Sequence, residues 1–252
     1  TRRLQSDPEL SGVGLVIFDE IHERNLNSDL ALALCRDAQL GLRPDLRLLA
    51  MSATLDAAPL ARLLGDAPLL SSSGRAYPVE IIHLGSPPPR THLAEAVSIA
   101  IRRALREGEG DLLVFLPGVA EIKRTERLLA DLSDALLICP LYADLPFVAQ
   151  EKALLPDPAR RKIVLATNIA ETSLTIEGVK IVIDGGLERR PRFDAARGMS
   201  SLETVRISLA SAVQRAGRAG RLAPGRCYRL WSIGEEGALL PHTPPEIRSA
   251  DL

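Results

Sequence analysis

The fold is decided by the stretch Leu15-Val16-Ile17-Phe18-Asp19-Glu20-Ile21-His22. An apolar run of strand length ends here in two adjacent carboxylates and a histidine. In an open parallel sheet, ligands bind beyond the carboxyl ends of the strands, so Asp19 and Glu20 are predicted to lie at a ligand crevice. Carboxylates there suit Mg²⁺, which prefers oxygen ligands, and Glu20 would polarise an attacking water. The alternative is a polar loop, which is the better interpretation of an isolated acid pair.

A second charged stretch favours the ligand-binding interpretation. Far downstream, the chain contains Gln214-Arg215-Ala216-Gly217-Arg218-Ala219-Gly220-Arg221. On a helix, Gln214 and Arg218 lie one turn apart on the same face, and the glycines let Arg221 approach the same point. Guanidinium groups match phosphate oxygens and stabilise the charge that develops during phosphoryl transfer. A solvated basic helix is the alternative, but glycine is costly at exposed helical positions.

Composition indicates a globular chain. Its 252 residues are 46% hydrophobic, enough for one large domain or two of ordinary size. No apolar run approaches the ~20 residues of a membrane-spanning helix, and the first residues do not resemble a signal peptide. We therefore expect a cytoplasmic protein with no membrane partner. Cys35, Cys139 and Cys227 lack the spacing of a zinc site, so we expect buried free thiols.

Charge is distributed unevenly along the chain. The formal net charge of −1 argues against wholesale polyanion binding. From Arg189 to Arg226, however, the sequence contains nine arginines and only two acidic residues, Asp194 and Glu203. This segment is suited to hold a phosphate backbone.

Strands and helices alternate in a pattern that predicts two α/β units. The first has strands at Val13 to Phe18, Leu46 to Met51 and Leu69-Leu70, with helices at Asn25 to Leu42 and Asp56 to Leu64. A turn-rich segment near Ser71 to Gly74 predicts a domain boundary. From Tyr77 onward, repeated alternation predicts a second, doubly wound parallel sheet. The segment from Leu187 to Ser208 predicts a projecting hairpin, followed by a helix from Ser211 to Arg218.

Two further polar stretches follow predicted strands. Ser52-Ala53-Thr54 is most often a helix cap when it stands alone, and it gains meaning only from its position after the acid-bearing strand. The run from Thr167 to Ile176 is unusually rich in hydroxyl and amide groups. Such groups suit phosphate or sugar contacts that do not depend on base sequence.

Taken in order, these stretches resemble the conserved motifs of the DEAH-box helicase family. Motifs II to VI correspond to Asp19 to His22, Ser52 to Thr54, Leu113 to Gly118, Thr167 to Ile176 and Gln214 to Arg221. The closing stretch from Arg221 to Arg248 looks most like the bacterial HrpB-type branch. The resemblance implies two RecA-like parallel-sheet domains, the first one partial, with domain limits at 1–74 and 75–235, and a winged-helix region beginning within 236–252.

The resemblance also implies the cofactors, the partner and the roles of residues. ATP and Mg²⁺ would bind between the domains and single-stranded RNA would cross both, with DNA as a possible substitute. Asp19 and Glu20 would hold Mg²⁺, with Glu20 as the base, and Gln214, Arg218 and Arg221 would meet the phosphates. Other cofactor-binding positions would be His22, Ser52, Thr54, Gly217 and Asp184. Nucleic-acid contacts would come from Thr167, Asn168, Thr172, Arg189, Arg190, Arg192 and Arg197.

One departure from the family pattern shapes the expected function. The phosphate-binding loop Gly-x-x-x-x-Gly-Lys-Thr is not found in this sequence. We therefore expect an N-terminally truncated part of an ATP-dependent RNA helicase, inactive by itself. The alternatives are a DNA-directed translocase of the same fold and a non-enzymatic RNA-binding or scaffold module. A phosphate-binding loop encoded upstream of Thr1 would favour the motor.

Overall fold

The computed structural model describes residues 2–53, 58–72, 77–172, 174–194 and 198–249. The chain divides into two compact units. Unit 1 comprises Thr1–Ser73, Pro191–Ser201 and Thr243–Leu252, and unit 2 comprises Gly74–Arg190 and Leu202–His242. The domain limits expected from the sequence, including the winged-helix region, stay predictions.

Unit 1 is built around a parallel pair of strands. Strands β1 (Leu15–Phe18) and β2 (Arg47–Ala50) pair in parallel, and helix α2 (Leu26–Gly41) connects them. The helix begins where the Asn25 side chain accepts a hydrogen bond from the Ser28 amide at 2.8 Å, which confirms the predicted start. The remaining helices are α1 (Arg2–Ser6) and α3 (Ala58–Leu63). The unit's buried core consists of Leu10, Phe18, Ile21, Leu32, Cys35 and Leu46.

The strand predicted at Leu69-Leu70 is wrong. These residues form no strand, and Leu70 is 95% exposed. Two adjacent leucines provide an apolar signal, but a strand also needs a neighbour to satisfy its backbone hydrogen bonds. No such neighbour pairs with 69–70 within the described residues.

Unit 2 contains a six-stranded parallel sheet, which confirms the predicted α/β class and second parallel sheet. The strands are β3 (Val79–His83), β4 (Asp111–Phe115), β5 (Leu136–Leu141), β6 (Arg161–Ala166), β7 (Val179–Asp184) and β10 (Gly225–Arg229). Their order in the sheet is β3-β10-β7-β4-β6-β5, and every adjacent pair is parallel. The helices are α4 (Leu93–Glu107), α5 (Val119–Leu128), α6 (Phe147–Leu154), α7 (Leu209–Gly217) and α8 (Ile233–Glu236).

Helices cover both faces of this sheet because alternate residues of each strand point to opposite sides. On one face, Leu112 and Val114 of β4 join a core that includes Val97 and Ile101 of α4. On the other, Phe115 of β4 joins a core with residues of α6 and α7. Burial on both faces explains why the strands appear in the sequence as continuous apolar runs.

The predicted hairpin is confirmed as a separate two-stranded sheet. Its strands are β8 (Leu187–Asp194) and β9 (Met199–Arg206). Among the residues that the structure describes, no helix has the length and apolar character needed to cross a membrane.

Candidate functional site

The acid pair of unit 1 lies where β1 ends. Just beyond the end of β2, Met51 is hydrogen-bonded to this segment: the Met51 amide donates to the Phe18 carbonyl at 2.8 Å, and the Ile21 amide donates to the Met51 carbonyl at 3.1 Å. The Asp19 carboxylate accepts the Glu20 amide at 2.9 Å. Glu20 has a left-handed backbone, with φ 50° and ψ 37°. This conformation is unfavourable for a residue with a Cβ atom and is concentrated at functional sites.

His22 connects the acid pair to the Ser52-Ala53 stretch. Its Nδ1 atom accepts a hydrogen bond from the Ala53 amide at 3.3 Å and lies 3.4 Å from Oε2 of Glu20. His22 therefore links two predicted motifs by hydrogen bonding. Thr54, predicted to bind cofactor beside Ser52, lies outside the described residues.

The arginine-rich stretch of unit 2 spans the end of α7 and the 3-10 turn that follows it. Helix α7 ends at Gly217, and Arg218 begins the turn Arg218–Gly220. Two glycines here have different surroundings. A Cβ on Gly220 would lie 2.5 Å from the Tyr77 carbonyl oxygen, whereas a Cβ on Gly217 would meet nothing within 4 Å. Close packing against Tyr77 explains why position 220 is a glycine, whereas a side chain at position 217 would point into open space.

All three arginines of this stretch bond to the predicted RNA-contacting run from Thr167 to Ile176. Nε of Arg215 donates to the Glu171 carboxylate at 2.8 Å. Arg218 donates to the Glu171 carbonyl at 2.8 Å, and its other two nitrogens donate to the carbonyls of Thr172 and Leu174. Nη1 of Arg221 donates to the Thr175 hydroxyl at 2.8 Å. Hydrogen bonds therefore join two stretches that lie about 40 residues apart in the sequence.

Arg215 is the centre of a buried charge cluster that sequence reasoning missed. Its side chain is 1% exposed and bonds to Glu171 and, at 3.0 Å, to Asp184. Glu188 lies 3.8 Å away, and the Phe115 ring lies 4.8 Å below the guanidinium. Burial alone would lower the pKa of Arg215, but the Asp184 and Glu171 carboxylates raise it above its ordinary value, so the arginine is charged.

Asp184, predicted to bind cofactor, is completely buried. Its Oδ1 atom accepts hydrogen bonds from the Gly186 amide at 2.9 Å and from Arg215. Burial raises the pKa of Asp184, while Arg215 opposes that shift. The observed task of this carboxylate is to hold Arg215, and a part in cofactor binding stays a prediction.

Thr167 and Asn168 lie at the sheet edge where ligands of parallel sheets bind. The Thr167 amide donates to the Leu141 carbonyl at 3.2 Å, so the end of β6 is fixed to the end of β5. Asn168 is exposed, and Thr167 is half-buried.

The hairpin arginines have different environments. The Arg189 guanidinium lies 3.7 Å from the Glu121 carboxylate and packs where a Cβ on Gly118 would fall. Arg190 pairs with Glu188, and Arg192 is exposed. Arg197 lies outside the described residues.

The missed residues had one usable signal in the sequence. Ser211 and Arg215 are one helical turn apart, and both bond to the Glu171 carboxylate. Arg215 also lies between the core alanines Ala212 and Ala216. A charged residue between core positions of a helix is buried and needs a partner of opposite charge. The sequence therefore indicates that Arg215 has such a partner, but not which residue it is.

The chain belongs to the family described as the helicase conserved C-terminal domain. Residues 94–223, more than half of the chain, match this family. The expected resemblance to DEAH-box RNA helicases of HrpB type is confirmed by individual relatives. The chain is 52% identical over its whole length to "ATP-dependent RNA helicase HrpB" of Escherichia coli K12, of which it covers 31%. It is 41% identical over 98% of its length to "Pre-mRNA-splicing factor ATP-dependent RNA helicase prp22" of Schizosaccharomyces pombe, of which it covers 22%.

A solved structure agrees with this assignment. The crystal structure of the Escherichia coli DEAH/RHA helicase HrpB superposes with a TM-score of 0.93 at 51% identity, covering 99% of this chain and 32% of that one. The chain therefore has a helicase fold with RecA-like sheet architecture. It spans about a third or less of the length of these relatives.

Proposed function

We propose that this chain is part of an ATP-dependent RNA helicase, in which ATP hydrolysis drives translocation on RNA and unwinding. The observation that carries the proposal is the bonding of Arg218 and Arg221 to the run from Thr167 to Ile176. A motor must link phosphate-contacting groups to nucleic-acid-contacting groups. Here the candidates for both tasks are joined by direct hydrogen bonds.

Asp19 and Glu20 fit Mg²⁺ as it is bound beside nucleotides. Mg²⁺ usually binds one or two carboxylates together with several waters and phosphate oxygens. The adjacent acids at this strand end can provide the carboxylates. Among the described residues, no group of three or more potential metal-binding side chains occurs, so a site made entirely by protein is not indicated. When bound, Mg²⁺ would neutralise charge on the phosphates.

Glu20 is proposed as the base that accepts a proton from the attacking water. Its carboxylate is half-buried, and the left-handed backbone and the nearby His22 restrict its position. A base acts only when held within hydrogen-bonding reach of the proton that it removes. His22 takes no part in proton transfer in this proposal, and its ring borders the Glu20 carboxylate at 3.4 Å.

Arg218, Arg221 and Gln214 are proposed to stabilise the charge on the transferred phosphoryl group. Arg221 is exposed and so is open to a ligand. Arg218 is 6% exposed and fixed by three backbone carbonyls, so it would meet a phosphate as a rigid group. Rigid donors lower the barrier more effectively because they need no reorganisation during the reaction.

Single-stranded RNA is the proposed partner, contacted through its backbone by Thr167, Asn168 and Thr172 and by the hairpin arginines. Hydroxyl, amide and guanidinium groups suit sugar and phosphate contacts that are independent of base sequence. We also expect the protein to work in the cytoplasm.

The test compares Glu20→Gln with the parent in the full-length gene product. ATP hydrolysis is measured with single-stranded RNA, with single-stranded DNA and without nucleic acid, and nucleotide binding is measured separately. Glu20→Gln should abolish hydrolysis and spare nucleotide binding, and Glu23→Gln on the adjacent turn is the matched control. Stimulation by DNA alone would favour a DNA-directed translocase, and parental turnover by Glu20→Gln would refute the assignment of the base.

A further inference from the structure

Arg221 is an exposed arginine whose guanidinium contacts a hydroxyl on another segment. The Thr175 hydroxyl accepts a hydrogen bond from Nη1 of Arg221 at 2.8 Å. An arginine side chain has several rotatable bonds, and holding it in one direction costs conformational entropy. A fixed acceptor reduces that freedom before any ligand arrives. Thr175 therefore affects where the charge of Arg221 is placed.

The backbone around Thr175 is itself fixed. On one side, the carbonyl of Leu174 accepts a hydrogen bond from the buried Arg218. On the other side, Ile176 is 7% exposed and packs in the sheet core. Thr175 is exposed between these two anchors. Its hydroxyl is thus a small polar group on a restrained segment, directed at a long cationic side chain.

We propose that Thr175 is a positioning residue for Arg221, the exposed arginine proposed to contact phosphate. This inference rests on the proposed function. Arg218 holds the carbonyls of Thr172 and Leu174. The Thr175 hydroxyl is therefore a fixed acceptor that keeps the Arg221 guanidinium in one direction.

The test uses two substitutions at Thr175 in the full-length gene product. Thr175→Val keeps the size and β-branched shape of the side chain and removes only the hydroxyl, whereas Thr175→Ser keeps the hydroxyl. With saturating single-stranded RNA, Thr175→Val should lower kcat for ATP hydrolysis about fivefold, the size expected for one exposed hydrogen bond to a charged group. KM for ATP and the RNA affinity should change little, and Thr175→Ser should retain most of the parental kcat.

A double-mutant cycle with Arg221→Ala distinguishes positioning from general damage. If Thr175 acts through Arg221, Thr175→Val should cause no further loss of kcat in the Arg221→Ala background. Circular dichroism and thermal unfolding verify that the variants are folded. A parental kcat in Thr175→Val, or losses that add in full in the double variant, would overturn the inference and leave the proposed function standing. Absence of ATP hydrolysis by the parent would overturn both.

Discussion

Arg215→Met should strongly destabilise unit 2, because it removes the cation from a buried cluster. Methionine keeps an unbranched apolar side chain but leaves Glu171 and Asp184 without the hydrogen bonds they receive at 2.8 and 3.0 Å. The two acid side chains are 9% and 0% exposed. Removing one partner of a buried ion pair costs about 3–5 kcal/mol.

Urea unfolding monitored by Trp231 fluorescence measures this loss. Trp231 is the only tryptophan, is 3% exposed and belongs to unit 2, so its signal follows that unit. With a slope of about 2 kcal/mol per molar urea, a loss of about 4 kcal/mol lowers the midpoint by about 2 M. The matched control is Arg124→Met, whose ion pair with Glu95 is exposed and should leave the midpoint almost unchanged.

The pH dependence provides a second check on the same variant. Burial raises the pKa of Asp184 and Glu188, and Arg215 opposes both shifts, so removing it raises these pKa values further. A carboxyl group with a raised pKa in the folded state binds a proton more readily there than in the unfolded chain. The stability deficit of Arg215→Met should therefore shrink as pH falls from 7 towards 5. A midpoint equal to that of the parent at pH 7 would show that the Arg215 cluster does not stabilise unit 2.

Three further predictions concern other parts of the chain. Gly220→Ala should lower stability by about 1–3 kcal/mol because its Cβ meets the Tyr77 carbonyl at 2.5 Å, whereas Gly217→Ala, in open space, should not lower it; thermal unfolding compares the two. Lys162 is buried, its Nζ donates to two carbonyls, and burial lowers its pKa. The unfolded state then binds more protons at alkaline pH, so the parent should gain stability relative to Lys162→Met between about pH 8 and 10. A urea midpoint of the parent that falls relative to that of the variant over this range would contradict the prediction. The three free cysteines are buried, so a thiol reagent should react with them in urea and only slowly in the native protein.

Much of the fold could be predicted because the local signals agreed with the global arrangement. Doubly buried strands such as β4 and β6 are continuous apolar runs, and the helix after Asn25 carries its cap in the sequence. The prediction was wrong at Leu69-Leu70, where a strand would have required a partner that no local pattern specifies. The sequence also predicts a helix from Val119 to Leu132, but α5 ends at Leu128 and a 3-10 turn follows at Ala130–Leu132.

The site was predictable in its parts but not in its connections. The acid pair and the arginines were identifiable because each follows a recognisable element. The pairing of Arg215 with Glu171 and Asp184 was not, because these residues are 44 and 31 positions away in the sequence. Long-range pairs depend on how the sheet is ordered, which alternation of strands and helices does not determine. The hydrogen bond between Arg221 and the Thr175 hydroxyl could not be predicted for the same reason.

Coupling between the nucleotide and RNA is tested by the rate of ATP hydrolysis by the full-length gene product, with and without single-stranded RNA. We expect hydrolysis that RNA stimulates, because the arginines proposed to contact phosphate are bonded to the run proposed to contact RNA. A rate that is unchanged by RNA would contradict the coupling. No hydrolysis under either condition would contradict the motor itself and favour an RNA-binding scaffold.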